Sequence, residues 1–311
     1  MSDVKPDTTP IQPAIPSVGP PDEAENLTLW GDVWRKLKRD KRFWIAAIAV
    51  FIFILMALVP QLFFTKDPYA CNIHDTALRP SREHWFGTDL LGCDYYTRVI
   101  YGARTSLQVG LIVSGVELAL AVTLGSAAGY FGGKIDTVIS RFADVWFSVP
   151  TILGSILVLT LLHGGGPVVI ALIIALFAWP DMTRLVRSVV IAGKTRGYTR
   201  AARSLGSSGR RILRRHVLPN GIGPVLVFSA YVIGSSAGAE AGLTFLGVGL
   251  RLPAISWGLQ LSVAETRFPE LGYLMFFPSL FLCLLIGAWI LLGEALRDAM
   301  DPKLFGGGGV V

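Results

Sequence analysis

Gly193, Lys194 and Thr195 match the end of a phosphate-binding loop, in which a lysine and a hydroxyl group contact nucleotide phosphates. That loop also requires a glycine five residues before Gly193, and Ser188 occupies the position. The match follows a long apolar stretch, whereas a phosphate-binding loop follows a strand. We therefore expect no ATP site here. No nucleophile and base stand at a recognisable catalytic spacing, so we do not expect an enzyme.

Two cysteines and two histidines form a second group with possible chemistry. Cys71, His74, His84 and Cys93 offer thiolate and imidazole ligands that suit zinc. The same cysteines would form a disulfide if their segment faced an oxidising compartment. Cys283 lies in an apolar stretch and is expected to be an inert apolar residue. The side of the membrane on which this segment lies decides between a disulfide and zinc.

The composition indicates a polytopic membrane protein. Hydrophobic residues make up 52% of the 311 residues and charged residues only 16%, whereas about a quarter of a soluble domain is charged. The net charge of +6 suggests nucleic-acid binding at first sight. However, the basic residues lie between apolar stretches and do not alternate with exposed aromatic residues, so membrane topology explains them better and we expect no nucleic-acid partner.

Six apolar stretches approach the roughly 20 residues that a bilayer crossing requires. They cover residues 43–64, 106–130, 142–162, 167–188, 221–242 and 272–293. With the N-terminus inside, about three quarters of the 28 lysines and arginines fall on the cytoplasmic side. The sequence therefore predicts six transmembrane helices and cytoplasmic termini. The cysteine-bearing segment then lies outside, where thiols are more often oxidised than metal-bound, and we predict a Cys71–Cys93 disulfide.

The predicted topology divides the chain into five parts. Residues 1–29 contain many prolines and no apolar run, so we expect a disordered cytoplasmic tail. Residues 30–42 mix tryptophans with lysines and arginines, which is typical of an amphipathic helix in the headgroup layer. Residues 43–104 then form the first transmembrane helix and an extracellular loop, residues 105–298 the core, and residues 299–311 a cytoplasmic tail.

The segment between the fourth and fifth apolar stretches, residues 196–220, is strongly basic and polar. Tyr198, Ala201, Ala202 and Leu205 recur at helical spacing, and Gly206 ends the pattern. A serine at 207 or 208 is positioned to cap a second short helix that carries Ile212 and Leu213, and Pro219 is expected to end it. The sequence predicts two short helices joined at a glycine, which form a docking element.

Two acidic residues lie inside predicted spans, where ionisable groups often have a function. Glu117 is near the middle of the second span. It either lines a solute path or makes a polar contact with a neighbouring helix. Glu240 lies at the outer end of the fifth span, before a glycine-rich stretch, 242–258, that resembles a re-entrant loop. We expect this stretch to form an outer gate or to contact a solute-delivery protein.

The cytoplasmic segment resembles the Glu-Ala-Ala loop of binding-protein-dependent ABC importers, the element that inserts into a groove on the ATP-hydrolysing subunit. Ala201-Ala202, Gly206 and Leu218-Pro219 carry the match. Other segments are similar to the second permease type of the dipeptide/oligopeptide family: 85–89 (WFGTD), 101–107 (YGARTSL), 129–133 (GYFGG), 243–247 (LTFLG), 256–258 (SWG) and 296–302 (LRDAMDP). Together they span nearly the whole chain.

The resemblance implies an all-α fold of the ABC importer type I permease class, with five core helices and the first span packed outside them. It also implies a heterodimer with a homologous permease, one or two ATPase subunits that bind ATP and Mg, a peptide-binding protein outside the cell, and no cofactor in this chain. The residues expected to couple to the ATPase are Tyr198, Arg200, Ala201, Ala202, Leu205, Gly206, Ile212, His216, Leu218 and Pro219.

The chain departs from the family pattern at two positions. Arg200 stands where the first loop residue is usually glutamate, so an ion pair made by that glutamate is absent or reversed in polarity. Cys93 stands where arginine is common. The cargo stays open, because relatives carry nickel or other small solutes. A gradient-driven secondary transporter is an alternative of another class, although the chain lacks the internal repeats expected of one. A structural membrane scaffold is a third.

Overall fold

The computed structural model describes residues 29–300. Every regular element in this range is a helix, in agreement with the all-α prediction. The predicted disordered tail and most of the predicted C-terminal tail lie outside the described residues. The helices are α1 (Leu29–Arg39), α2 (Lys41–Leu58), α3 (Tyr95–Leu120), α4 (Ser126–Phe131), α5 (Gly133–Phe147), α6 (Thr151–Leu161), α7 (Pro167–Lys194), α8 (Gly197–Ser204), α9 (Gly209–Ile212), α10 (Leu218–Phe245), α11 (Trp257–Glu265) and α12 (Tyr273–Met300).

Two π-helical turns join helices without interrupting them. The turn Ala121–Gly125 connects α3 to α4, so the helix is continuous over Tyr95–Phe131. The turn Leu213–Val217 connects α9 to α10, which gives a continuous helix over Gly209–Phe245. Short 3-10 turns at Pro60–Phe63 and Ile73–Asp75 lie in the loop between α2 and α3.

Within residues 29–300, five helices are long and apolar enough to cross a membrane, or six if α5 and α6 together form one span. The third predicted crossing, 142–162, is not a single straight helix, because it falls on α5 and α6 and the chain bends by 75° between them. Pro150 caps the start of α6. A proline disfavours helical geometry in the residue before it, which explains why the helix stops there and restarts.

The interior is built by α3, α7, α10 and α12, and closely packed glycines bring these helices together. A methyl group added to Gly129 of α4 would lie 2.7 Å from the Arg187 carbonyl oxygen of α7. Gly234 of α10 approaches Ile286 of α12 in the same way, at 3.3 Å. Such contacts suit a membrane interior, where helices gain stability from close packing. A methyl group added to Gly242, which continues the predicted spacing, would meet nothing within 4 Å among the described residues.

The first span lies at the edge of this core. α2 packs on α3 and α12 while Ile45, Ile48 and Phe51 remain exposed. The predicted interfacial helix, residues 30–42, ends at Arg39, because Asp40 caps the start of α2 by accepting a hydrogen bond from the Arg42 amide (2.8 Å). The chain therefore turns at Asp40 and enters the span as a separate helix.

Candidate functional site

The segment between α7 and α10 is attached to the end of α7. The Thr199 hydroxyl donates to the Gly193 carbonyl (2.8 Å), and Thr199 is fully buried. Lys194 Nζ donates to the Tyr130 carbonyl of α4 (2.6 Å). A methyl group on Gly209 would lie 2.8 Å from the Tyr130 hydroxyl, so the start of α9 also touches this tyrosine. These contacts therefore connect α8 and α9 directly to both α7 and α4.

Gly206 ends α8 in the way the sequence predicts. Its φ is 78°, in the left-handed region that glycine adopts without steric cost. The Gly206 amide donates to the Arg203 carbonyl and the Ser207 amide to the Ala202 carbonyl, at 3.0 and 3.1 Å. These two bonds form a Schellman motif, which satisfies the last carbonyls of the helix and fixes where the chain leaves it.

The apolar stripe that the sequence places on α8 divides into two faces. Ala202 is buried and packs in one cluster with Ile212 and Val217. Tyr198 is 41% exposed and Leu205 is 86% exposed at the tip of the segment. Ala201, beside them in sequence, is also exposed. One face therefore holds the two short helices together, and the other presents apolar side chains outward.

The second half of the segment differs from the prediction. Ser208 precedes α9 but makes no side-chain cap hydrogen bond. Pro219 does not end the unit: it lies in the first turn of α10, directly after the π-helical turn, and the helix continues through it. His216 and Leu218 are half-buried at this junction, and the His216 carbonyl accepts from Asn220 (2.6 Å). The predicted coupling segment, residues 196–220, thus runs without a break into α10.

Exposed arginines surround the apolar tip. The predicted departure, Arg200, lies on the exposed side of α8. Six further arginines of the segment are exposed: Arg196, Arg203, Arg210, Arg211, Arg214 and Arg215. The segment therefore exposes apolar and positively charged side chains together, a combination that favours an acidic partner surface.

Ion pairs connect α5 to α7 near the same end of the molecule. Arg187 holds Asp136 through two hydrogen bonds, Nε to Oδ1 at 2.5 Å and Nη2 to Oδ2 at 2.7 Å. Arg184 pairs with Asp144 at 2.9 Å. Bidentate pairs of this kind fix orientation as well as distance, so α5 follows α7 when α7 moves.

The opposite end of the molecule carries the loop between α2 and α3. Cys71 and Cys93 form a disulfide there, as the sequence predicts. Asp89 accepts hydrogen bonds from the Cys93 amide (2.9 Å) and from Arg98 Nη1 (2.7 Å). A methyl group on Gly92, whose φ is 75°, would lie 1.8 Å from the Asn72 carbonyl oxygen. We refer to residues 66–94 as the external cap, after the side of the membrane on which the sequence analysis expects them.

Asp94 anchors the external cap to the start of α3. It caps the helix by accepting from the Thr97 amide (3.0 Å) and hydroxyl (2.7 Å), and it also contacts His84 Nδ1 (2.8 Å). Burial acts to raise the pKa of the Asp94 carboxyl, but the bonds from Thr97 and His84 and the charge of Lys66 together lower it below its ordinary value. His84 is thereby engaged with a carboxylate. Within residues 29–300 no three potential metal ligands come together.

The glycine-rich stretch 242–258 leads into α11, a helix that the sequence analysis does not predict. The residue in the sequence that could have indicated this helix is Ser256. It is the N-cap, and its hydroxyl accepts a hydrogen bond from the Leu259 amide (3.1 Å). Trp257 Nε1 donates to the Val99 carbonyl (2.8 Å), and the Thr105 hydroxyl donates to the Ile255 carbonyl (2.6 Å). The stretch is therefore fastened to the outer half of α3.

The two candidate path residues lie inside the chain. Glu117 is 2% exposed and Glu240 is fully buried. Glu240 Oε1 accepts from the Thr244 hydroxyl (2.9 Å), which in turn accepts from the Leu250 amide (3.2 Å). A side chain that lines a path between two subunits is exposed on the separate subunit, so in this conformation neither glutamate faces such a path. Glu240 instead braces the re-entrant stretch.

A crevice of about 230 Å³ separates the external cap from α11. Its rim is exposed at Leu91, Leu252 and Val263, while Tyr95 and Leu274 form a buried floor. The molecule thus has a cavity at the end that carries the disulfide. At the other end, the segment between α7 and α10 exposes apolar and basic side chains.

Comparison with known proteins identifies the family. Residues 121–306, more than half of the chain, match the family described as binding-protein-dependent transport system inner membrane component. The chain belongs to this family. Residues 28–80 of the permease also match the N-terminal transmembrane domain of oligopeptide transport permease C. It is therefore a membrane-embedded permease subunit, and its function is transport.

Similar proteins cover nearly the whole permease. The oligopeptide transport system permease protein OppC of Bacillus subtilis is 34% identical over 94% of this chain and 97% of its own length. The dipeptide transport system permease protein DppC of Alkalihalophilus pseudofirmus is 36% identical over 95% and 97%. The glutathione transport system permease protein GsiD of Escherichia coli is 36% identical over 90% and 92%. The resemblance seen in the motifs is thus confirmed along the chain.

Proposed function

We propose that this chain is one of two homologous permeases in an ATP-driven importer of short peptides. The observation that carries the proposal is the exposed apolar tip of the coupling segment, Tyr198, Ala201 and Leu205, surrounded by arginines. Leu205 is 86% exposed within residues 29–300, so burying it against a partner would gain apolar contact. A groove on an ATPase subunit would bury it. ATP and Mg would bind to that subunit.

The orientation of the permease in the membrane follows from the elements that lie at the same end of the molecule. Met300 at the end of α12 contacts Gly223 near the start of α10, so α12 ends beside the coupling segment. α1 packs on the same end of α12. These parts carry most of the basic residues, and the positive-inside rule then puts them and both termini in the cytosol. The external cap and α11 face outward, where a peptide-binding protein would dock.

Transport would proceed by relative movement of helices. When two ATPase subunits close on ATP, they draw the coupling segments of the two permeases together. The contacts of Thr199 and Tyr130 and the Arg187–Asp136 pair pass this displacement to α7, α4 and α5. The outer stretch braced by Glu240 acts as the gate, and Glu117, buried in this conformation, supports the packing of α3 beside the path. This is a two-state rearrangement biased by nucleotide.

The cargo class rests on the relatives, which are named for oligopeptides, dipeptides and glutathione, itself a short peptide. The cargo class is tested by measuring uptake of an oligopeptide, a dipeptide and glutathione by the reconstituted importer. Nickel, the cargo of the alternative assignment, is measured as the competitor. Transport by this chain alone, driven by an ion gradient without ATPase subunits, would instead support a secondary transporter.

Leu205→Asp tests the docking face. The side chain is exposed, so folding should be unaffected, while a carboxylate in an apolar groove should weaken ATPase binding at least tenfold, about 1.4 kcal/mol. The measurement is co-purification of the ATPase subunits together with ATP-dependent uptake. Ile73→Asp, which changes a residue 82% exposed on the external cap, is the matched control. Unchanged ATPase binding in Leu205→Asp would refute the proposed docking face.

A further inference from the structure

The junction of α1 and α2 exposes basic and aromatic side chains together. Lys38, Arg39 and Lys41 are exposed, and so are Trp34 (49%) and Trp44 (46%). We call these five residues the basic junction. Lys38 Nζ lies 5.4 Å from the centre of a Trp34 ring, and Trp44 Nε1 donates to the Lys38 carbonyl (3.1 Å). The charges are therefore held beside two indole rings that are themselves fixed in place.

The basic junction sits where the hydrocarbon region ends. α2 begins at Lys41 and exposes Ile45, Ile48 and Phe51 over the following turns. These residues face lipid in a membrane-spanning helix at the edge of the core. Trp44 lies directly before this apolar face, and the Trp34 ring of α1 packs on Phe43 beside it, with ring centres 6.2 Å apart. Tryptophan is enriched at the depth of the headgroups, which suits both positions.

The charge of this region matches an anionic surface. Residues 29–42 contain six lysines and arginines against two aspartates. The carboxylate of Asp40 pairs with Arg42, which also binds Asp298 of α12 at 2.8 Å. Arg42 thus holds Asp40 and Asp298, while Lys38, Arg39 and Lys41 remain exposed.

We propose that the basic junction binds the headgroups of anionic phospholipids in the cytoplasmic leaflet and thereby holds the cytosolic end of α12. Each lysine or arginine near an anionic membrane surface contributes about 1 kcal/mol, or about fivefold, to the partition, so the three basic residues of the basic junction together contribute about a hundredfold. The assignment of the leaflet rests on the orientation given under the proposed function.

The effect on α12 follows from its contacts with α1. Leu37 is buried against Ala295 and Ala299. Beyond them, Met300 lies against Gly223 of α10, close to the coupling segment. A lipid-anchored α1 therefore restrains α12 at the end where nucleotide-driven movement enters the membrane, and anionic lipid should increase the efficiency of that coupling.

Lipid retained by the complete chain tests the binding. The chain is purified in mild detergent from membranes that contain phosphatidylglycerol and phosphatidylethanolamine, and the retained lipids are measured by mass spectrometry. We expect the wild type to retain phosphatidylglycerol in preference to phosphatidylethanolamine. In the triple variant Lys38→Gln, Arg39→Gln, Lys41→Gln the enrichment factor should be at least tenfold lower. The matched control, Arg79→Gln, Arg82→Gln and Arg267→Gln, removes the same charge from the outer side and should retain it. Equal retention in all three proteins would overturn the proposal.

The assembled importer tests the consequence. ATP-driven uptake is compared in nanodiscs of phosphatidylcholine alone and of phosphatidylcholine with phosphatidylglycerol. Anionic lipid should raise uptake several-fold in the wild type and not in the triple variant. Equal stimulation of both proteins would refute the link to α12. The retention measurement needs neither ATPase subunits nor cargo, so failure of the importer assignment would leave it unaffected and the two outcomes remain distinguishable.

Discussion

Gly206 determines how the coupling helix ends. With φ at 78°, a β-branched residue is strained there by roughly 1–2 kcal/mol, so Gly206→Val should unwind the end of α8 and displace Leu205. We expect a several-fold loss of ATP-dependent uptake into proteoliposomes with unchanged thermal stability of the transmembrane helices. Asparagine tolerates the left-handed region, and Gly206→Asn should keep most of the uptake. Wild-type uptake by the valine variant would show that the helix end does not matter.

Asp94 makes the external cap sensitive to acid. Its pKa is lowered in the folded chain, so its stabilising contribution is complete above the unfolded-state pKa of about 4 and is lost as the pH falls through the lower folded value. Thermal unfolding between about pH 6 and about pH 3 should show a fall in stability at the acid end. Asp94→Asn keeps an N-cap acceptor without the charge. It should show a smaller fall, and an identical profile would exclude Asp94 as the source.

Residue types alone indicated several of these roles. A glycine after a helical apolar pattern and an aspartate before one are local signals, because the hydrogen bonds that they serve lie within a few residues. The burial of Glu117 and Glu240 was not visible in this way. A glutamate in an apolar run has the same sequence signal whether it faces a path or a neighbouring helix, and only the packing of α3 and α10 separates the two.

The external cap depends on its cross-link. The Cys71–Cys93 disulfide closes a loop of 22 residues, which stabilises such a loop by about 3 kcal/mol. We expect Cys71→Ser to make the external cap sensitive to protease added outside, while the transmembrane helices stay intact. Cys283→Ser, the control, should not. Intact-mass measurement after alkylation should find one free thiol in the wild type, and three would show that the disulfide does not form.

Two elements show where sequence patterns fail at this scale. α5 and α6 read as one apolar crossing, yet they meet at 75°. A hydropathy profile shows only how long and how apolar a stretch is. It gives no information about the bend in the backbone near Pro150. α11 was not predicted from the sequence, which indicated only a glycine-rich stretch over 242–258 before it. Its position is set by bonds from Trp257 and Thr105 to partners more than a hundred residues away in the chain.

The whole molecule has two chemically different ends, and their sidedness can be measured. In a Cys283→Ser background, Ser204→Cys and Ser81→Cys place exposed thiols on the coupling segment and on the external cap. A reagent that cannot cross membranes should label Ser81→Cys in intact cells and Ser204→Cys only after the membrane is opened. Labelling of Ser204→Cys from outside would invert the topology and remove the proposed site of ATPase docking.

The sequence by itself determined that this chain is all-helical and carries several apolar spans, because composition, charge and local periodicity are written along the chain. Its family followed from short motifs that resemble those of known permeases. Only the tertiary structure decided that Ala202 and Ile212 face inward while Leu205 faces out, that Glu240 braces α10 and the re-entrant stretch, and that α1 rests on the end of α12. Those choices depend on which distant helix covers each side chain, and no local pattern encodes that neighbour.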